Sequence, residues 1–315
     1  MSVEIVPRHP DEQVAARRTP EEQREHERRE VAKHYEHDAE IFKLVLDKRL
    51  AYSTAVYARD DEDVEAAQER KYARIAAKLD LRSGERFLDV GCGWGSNLLY
   101  IAQHTRAECH GLTLSARQRE EALARAREWG VADRVRIDLE HVESFKPQPG
   151  SYDAVLFCGS IVHMHNREAI HRAVGEWLKP GGRLLISDCY YPEVARGNRE
   201  SNATRYIFVT VLGYCRLLGL SEELAMIEQA GLDITHVEDL TSSYVKTLGA
   251  WIDRIRERRE KIDALAPGFA GVLQRYMTVA KLSFDRRTAI EYMILAVKGR
   301  PRQSYGAWPI PADAR

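Results

Sequence analysis

The segment running from Phe87 to Asn97, Phe-Leu-Asp-Val-Gly-Cys-Gly-Trp-Gly-Ser-Asn, constrains this chain more than any other. An apolar run (Phe87, Leu88, Val90) meets three glycines spaced two apart, Gly91, Gly93 and Gly95. That is a strand ending in a turn whose backbone must pass close to a ligand. A dinucleotide fingerprint reads Gly-x-Gly-x-x-Gly, with its third glycine one residue later. Asp89 sits just ahead of the first glycine, where its carboxylate would repel a pyrophosphate and attract a cation. Spacing and charge together favour a sulfonium ligand, S-adenosylmethionine, over NAD. A glycine-rich turn alone is a weak signal, so the rest of the chain must carry the case.

At 315 residues there is room for one large α/β domain, or one domain with a lid. A net charge of −1 offers no basic field for nucleic acid. No apolar stretch is long enough to span a bilayer, and the charged residues Met1 to Arg18 lack a signal core. A cytoplasmic protein without integral membrane association is therefore expected. The five cysteines (Cys92, Cys109, Cys158, Cys189, Cys215) form no Cys-x-x-Cys pair, and an odd count at wide spacing suits reduced, buried thiols.

Residues 1–18 read as disordered. Thr19-Pro20-Glu21-Glu22 is a capping box with proline at the first helical position, starting a charged helix to about Lys33. That helix suits solvent or an intersubunit contact equally, which leaves a homo-oligomer open. Ile41, Phe42, Val45 and Leu46 then recur at helical spacing, so 19–80 reads as a helical cap. Over 81–189 the pattern alternates: strands at 86–90, 108–113, 135–139, 154–158 and 183–187, with helices between them at 116–129 and 167–178 among others. Lys179-Pro180-Gly181-Gly182 reads as the turn before the fifth strand. Such alternation predicts a doubly wound sheet with its ligand at the carboxyl ends of the strands. Residues 190–220 read as an aromatic helical lid, in which Tyr190, Tyr206, Phe208 and Tyr214 are candidate substrate-binding residues. Over 221–299 come the end of a helix at 220–230, a sixth strand at 233–240, a second helical insertion at about 248–282 and a seventh strand at 291–298. Residues 300–315, with three prolines, read as a disordered tail.

Several blocks stand in a telling order: His34-Tyr35, Asp38, Phe42, Leu46-Asp47, Tyr52-Ser53, Leu88 to Gly95, Gly111-Leu112-Thr113-Leu114-Ser115 with Gln118, and Tyr244 with Lys246-Thr247-Leu248 and Trp251. In these the chain resembles the cyclopropane-fatty-acid synthase family of methyltransferases, which includes the mycolic acid cyclopropane synthases and some plant alkaloid N-methyltransferases. The likeness runs from about His34 to Gly299, and a Gly-Cys-Gly-Trp-Gly turn followed at this distance by Gly-Leu-Thr-Leu-Ser is highly specific. It implies an α/β fold, a Rossmann-like seven-stranded class I methyltransferase sheet with a helical N-terminal segment and helical lid insertions. It also implies S-adenosylmethionine as cofactor. Asp89, Gly91, Gly93 and Gly95 would then border the methionine part, and Tyr52 and Ser53 its far side. Thr113, Leu114 and Gln118 would hold the nucleoside, with Val142 and Glu143 at the adenine. Thr113 and Gln118 can each donate and accept hydrogen bonds to ribose hydroxyls, although Gln118 also suits a solvated first helical turn.

The sulfonium activates its own methyl group, so the enzyme mainly aligns a nucleophile about 3–3.5 Å from the methyl carbon. If that nucleophile is a carbon–carbon double bond, a carbocation forms, aromatic faces shield it, and a base removes a proton. Ring-closing members of the family are understood to hold bicarbonate as that base with a cysteine, a glutamate, a histidine and a tyrosine. The corresponding positions here are Thr54, His163, Ser187 and Tyr244, so three of the four differ. That departure argues against cyclopropane formation and for methylation of a small apolar acceptor, an isoprenoid or lipid-like alkene, followed by deprotonation. N- or O-methylation of a natural-product scaffold is the alternative. His163 becomes the candidate base, with Tyr244 the second catalytic candidate. His165 is an alternative base, and both histidines also read as helix-start residues without chemistry. A metal at these histidines and His171 has no further ligand spacing to support it and is not expected.

Overall fold

A computed structural model describes residues 18–35, 39–193 and 215–299. Both expected tails and most of the aromatic lid, with Tyr206, Phe208 and Tyr214, lie outside the described residues. Helix α1 (Pro20–Tyr35) starts on the capping box read from sequence. Glu22 N donates to Thr19 Oγ1 at 3.2 Å, and Thr19 N donates to Glu22 Oε2 at 2.7 Å. Short α2 (Ala39–Val45) buries Ile41, Phe42 and Val45. Helix α3 (Val64–Leu79) is capped by Asp63, whose carboxylate accepts from Ala66 N at 2.8 Å. Its inner face buries Tyr72, Ile75, Leu79 and also the amine of Lys71.

Five strands then run parallel: β1 (Arg86–Val90), β2 (Glu108–Thr113), β3 (Val135–Leu139), β4 (Tyr152–Cys158) and β5 (Leu178–Tyr190). Helices α4 (Ser96–His104), α5 (Ala116–Glu128) and α6 (Arg167–Trp177) lie between them. Beyond the lid come α7 (Leu220–Gln229), β6 (Leu232–Asp239), α8 (Thr241–Glu257), α9 (Arg259–Leu265), α10 (Phe269–Asp285) and β7 (Ile290–Lys298). The insertion read as 248–282 is thus three helices and begins earlier, at Thr241. The expected turn at 179–182 is absorbed into β5, which first pairs at Leu178 with Tyr152 and, after an irregularity, resumes at Arg183.

Strand order is β3-β2-β1-β4-β5-β7-β6, with β7 antiparallel to both its neighbours. This is the Rossmann-like seven-stranded sheet that the sequence implies. The order reverses between β1 and β4, so a crevice opens at their carboxyl ends. Central strands are buried on both faces, which is why Phe87-Leu88 and Leu184-Leu185-Ile186 read as continuous apolar runs. The one cation in that run's path, Arg183, is fully buried and donates to Leu79 O at 2.8 Å and Glu85 Oε2 at 2.9 Å. No helix among the described residues is long and apolar enough to cross a membrane.

Helix α6 meets the end of α7 at Gly175, where an added Cβ would lie 2.5 Å from Ala230 O. Gly175→Ala is therefore expected to cost about 1–3 kcal/mol through overpacking. Thermal unfolding should show a lower midpoint; an unchanged midpoint would mean that these helices part freely.

Candidate active site

Gly91, Gly93 and Gly95 hold φ values of +75°, +52° and +77°, which glycine adopts without a Cβ clash. Gly91 N and Cys92 N both donate to Leu112 O at 2.9 Å, tying the turn to the end of β2. The three glycines differ in what excludes a side chain. A Cβ on Gly91 would lie 2.5 Å from Ser160 Cβ, and one on Gly95 3.0 Å from Ala122 Cβ. One on Gly93 would meet only Gln118 Nε2, at 3.7 Å, because there the turn faces an open cavity.

Of the expected cofactor residues, Tyr52, Ser53, Asp89, Gly91, Gly93, Thr113, Leu114, Gln118 and Val142 line this first cavity. Two do not. Gly95 starts α4 and lets α5 approach, so helix packing accounts for this glycine. Glu143 is half-buried in the turn at 142–144, next to Val142, which does line the cavity. Burial and the nearby Glu27 raise its pKa.

Asp89 is 1% exposed, and its Oδ2 has no hydrogen-bond partner among the described residues; the same holds for Asn97 Oδ1 on the same wall. Burial pushes the Asp89 carboxyl up to about 7, against the pull of Lys71 and of a backbone hydrogen bond from Leu98. Buried acceptors of this kind match a ligand that brings N–H donors and positive charge. At the end of β2, Thr113 Oγ1 donates to Gln118 Oε1 at 3.0 Å. Among the described residues no Lys or Arg lines the cavity, so no side-chain cation answers a pyrophosphate. The donor set fits an aminoacyl nucleoside.

Among the wall residues that the sequence reading did not single out are Glu27 of α1 and His141 after β3. Their side chains meet at 3.0 Å with 2% and 3% exposure, and Gln23 Nε2 donates to Glu27 Oε1 at 2.8 Å. His141 Nδ1 accepts from Glu143 N at 3.2 Å, so its proton sits on Nε2, toward the carboxylate. The pair fastens α1 beside the cavity. A charged helix gave no hint of this, since the partner lies 114 residues away.

Tyr52, Ser53, Gly159 and His163 line a second cavity as well, and so form the junction between the two. Ser53 is fixed from three sides. Lys71 Nζ donates to its Oγ at 3.1 Å, Cys158 Sγ donates to the same atom at 3.4 Å, and Gln68 Nε2 donates to its carbonyl at 3.0 Å. Beyond the junction the walls turn apolar and aromatic, with Tyr191, Leu217, Tyr244, Tyr276, Phe284 and Ala289. The rings of Tyr244 and Phe284 are 4.6 Å apart, and burial pushes the Tyr244 phenol well above its usual range. Thr54 lines this cavity too, whereas His165 is on neither wall. Tyr190 is a correction: it is fully buried in the core with Ile227 and Ile290, because the pleat of β5 turns it away from the face of Cys189. Tyr191 takes the wall position instead.

Three polar groups close the deep end. Asp188 accepts from Ile161 N at 2.9 Å, Val162 N at 3.4 Å and Cys189 N at 2.8 Å, and burial pushes it up to about 6. Cys189 opposes Glu291 across the β5–β7 pair, and its Sγ donates to Glu291 Oε2 at 3.0 Å. Ser187 Oγ donates to Oε1 at 3.2 Å from beneath. Burial, with Asp188 adding, raises the Glu291 carboxyl to about 8. Its signal was in plain sight, a lone acid in the otherwise apolar run from Ile290 to Val297. His171 is occupied elsewhere, 2.7 Å from Glu223, and among the described residues no three His, Cys, Asp or Glu side chains gather as metal ligands.

Residues 22–293 match the family described as mycolic acid cyclopropane synthetase. The chain is similar to a probable fatty acid methyltransferase of Pseudomonas putida, 30% identical over 286 residues, which covers 89% of this chain and 72% of that protein. Its fold is similar to that of mycolic acid cyclopropane synthase CmaA1 complexed with SAH and CTAB, with TM-score 0.80 and 23% identity over 86% of this chain and 98% of the other. A geranyl diphosphate methyltransferase in complex with GPP and sinefungin superposes with TM-score 0.68 and 18% identity, over 86% and 99%.

Asp89 also makes a prediction about folding. With its carboxyl raised from 3.8 to about 7, the folded chain keeps a proton that the unfolded chain has lost between those values. Stability from this group is full below the lower value and falls as pH rises toward the upper one. Denaturant titration of the ligand-free protein at about pH 5 and about pH 7, both within that window, should show a smaller decline in Asp89→Asn than in the parent. Equal declines would contradict the assignment.

Proposed function

Because the chain belongs to the mycolic acid cyclopropane synthetase family and is an S-adenosylmethionine-dependent methyltransferase, we propose that its first cavity holds the cofactor and its second a small, largely apolar acceptor whose carbon–carbon double bond is methylated and then deprotonated. Two cavities joined at Tyr52, Ser53, Gly159 and His163, one polar and one aromatic, carry this reading. In the first, Asp89 and the Gly91–Gly93 backbone hold the aminoacyl end, with Tyr52 and Ser53 across from them. Thr113, Leu114 and Gln118 take the ribose, and Val142 floors the adenine. The cofactor supplies one activated methyl group, and the protein's own work is alignment.

In the second cavity the faces of Tyr52, Tyr244, Tyr276 and Phe284 can each stabilise a cationic centre by roughly 0.5–2 kcal/mol. His163 stands at the junction, beside the reacting centre, and Tyr244 on the acceptor side. The relatives' names, which speak of a fatty acid and of geranyl diphosphate, support a lipid-like or isoprenoid acceptor. Thr54, His163 and Ser187, at positions where ring-closing relatives are understood to hold bicarbonate, favour simple methylation over cyclopropane formation. One observation favours N-methylation instead: Asp188 and Glu291 place two carboxyls at the deep end, where they would attract an amine.

Isotope-labelled cofactor offered with prenyl diphosphates, unsaturated lipids and amine scaffolds separates these readings by mass spectrometry. A product with one added methyl group and its double-bond count intact, formed without bicarbonate stimulation, is expected. Bicarbonate-dependent loss of a double bond would restore ring closure, and methylation of amines alone would select the second reading. Gly93→Val should weaken cofactor binding more than tenfold, or about 1.4 kcal/mol; full affinity in calorimetry would remove the turn from the site.

A further inference from the structure

Methyl transfer leaves unexplained the carboxyl at the deep end of the acceptor cavity. Glu291 is 3% exposed, lines the second cavity and does not line the first. We propose that Glu291 is the catalytic base that takes the proton from the methylated acceptor, an assignment that rests on the alkene reading above. In this step a C–H bond beside the cationic carbon breaks and its electron pair becomes the new carbon–carbon double bond. The proton passes to a carboxylate oxygen of Glu291 and leaves to solvent after the product.

Position is the first support. The departing proton sits on a carbon next to the cationic one, and so on the acceptor, whose cavity Glu291 lines. His163, by contrast, is shared with the cofactor cavity.

The partners of the carboxyl are the second support. Ser187 Oγ and Cys189 Sγ are rotatable donors that can swing away or reverse when the oxygen they contact gains a proton. The neighbouring Asp188 receives three backbone N–H groups, which cannot rotate away, so it anchors the 161–162 turn and is poorly built to cycle protons.

Charge around the site is the third. Asp188 and Cys189 on β5, Lys71 on α3 and Tyr244 on α8 all interact with Glu291, and His163 and Cys215 share its cavity. Burial and Asp188 raise the carboxyl to about 8, making it a stronger base than an exposed glutamate, while Lys71 supplies the countercharge that lets it ionise. Once ionised, it also faces the carbocation with opposite charge in a water-poor site.

The test compares the parent enzyme with Glu291→Gln on whichever alkene the parent methylates. Cofactor affinity by calorimetry should change less than about twofold, showing an intact fold and first cavity, while turnover falls by about 100-fold or more. The residual product should shift toward a methylated alcohol, formed by water capture, or toward another double-bond isomer. The base works ionised, so the parent's rate should rise with pH through its pKa, and that limb should vanish in Glu291→Gln but survive in Glu291→Asp. In the ligand-free parent, infrared difference spectra should show a protonated-carboxyl band that titrates away near 8 and is absent from Glu291→Gln. Unchanged rate and product in Glu291→Gln would overturn the proposal, as would product diversion in His163→Ala without any in Glu291→Gln. If the parent itself methylates amines and no alkene, the alkene reading fails and the proton step falls with it; that outcome is read on the unmodified enzyme and so is distinct.

Discussion

Lys71 reaches from α3 into the space between the two cavities with no exposed surface, and the interior charges are arranged around it. A buried ammonium is tolerated only where opposite charge and acceptors compensate its lost hydration. Asp47, Asp89, Glu291 and the Cys158 thiol all act on it electrostatically, while burial draws its pKa down. Its donation to Ser53 Oγ links that charge to the junction loop, and Gln68, one turn earlier on the same helix, holds the Ser53 carbonyl. One helix face therefore sets both the position of the junction and the charge balance on either side. The acids of the two cavities are coupled through a shared cation even though no ligand atom need touch both.

The two cavities are made from different material. Around the first, the wall is built where parallel strands end, from left-handed glycines and the polar end of β2. These are consequences of how strands turn into helices, and they suit one invariant ligand. The second is assembled from segments without such regularity: the end of β5, the loop at 215–217, helices α8 and α10, and β7. Its aromatic walls and acid floor can vary without disturbing the turn at 91–95. That division explains how relatives named for fatty acids and for geranyl diphosphate keep one sheet.

The same division set what the sequence could disclose. Gly91 and Gly93 announce a backbone constraint in their identity, and Thr113 and Gln118 sit at fixed offsets along a strand and its following helix, so these were readable. Gly95 carries the same signature, yet its reason is the approach of α5, a contact that spacing along one element does not record. Tyr190 was misread because a strand runs farther than its apolar core suggests, and one more step of the pleat reverses a side chain. Glu27 with His141, and Glu291 with Ser187 and Cys189, are pairings across the fold. Each residue alone looks like a solvated acid or a strand end, and only the tertiary neighbour gives it meaning. Tyr244 and His163 were found through resemblance, and nothing in their immediate surroundings in the chain would have singled them out.

The antiparallel strand β7 carries a further consequence for how the molecule comes into being. β6 pairs only with β7, and β7 is the strand that joins it to β5. During synthesis the five parallel strands and the glycine turn emerge first and can zip together in order. β6 must wait, unpaired, through three helices until the last described strand arrives. The machinery for the common reagent can thus assemble on the ribosome well before the chamber that chooses what the reagent is used on. A chain cut short before residue 290 would keep the other wall residues of that chamber but lose Glu291 and the strand that fastens β6 to the sheet.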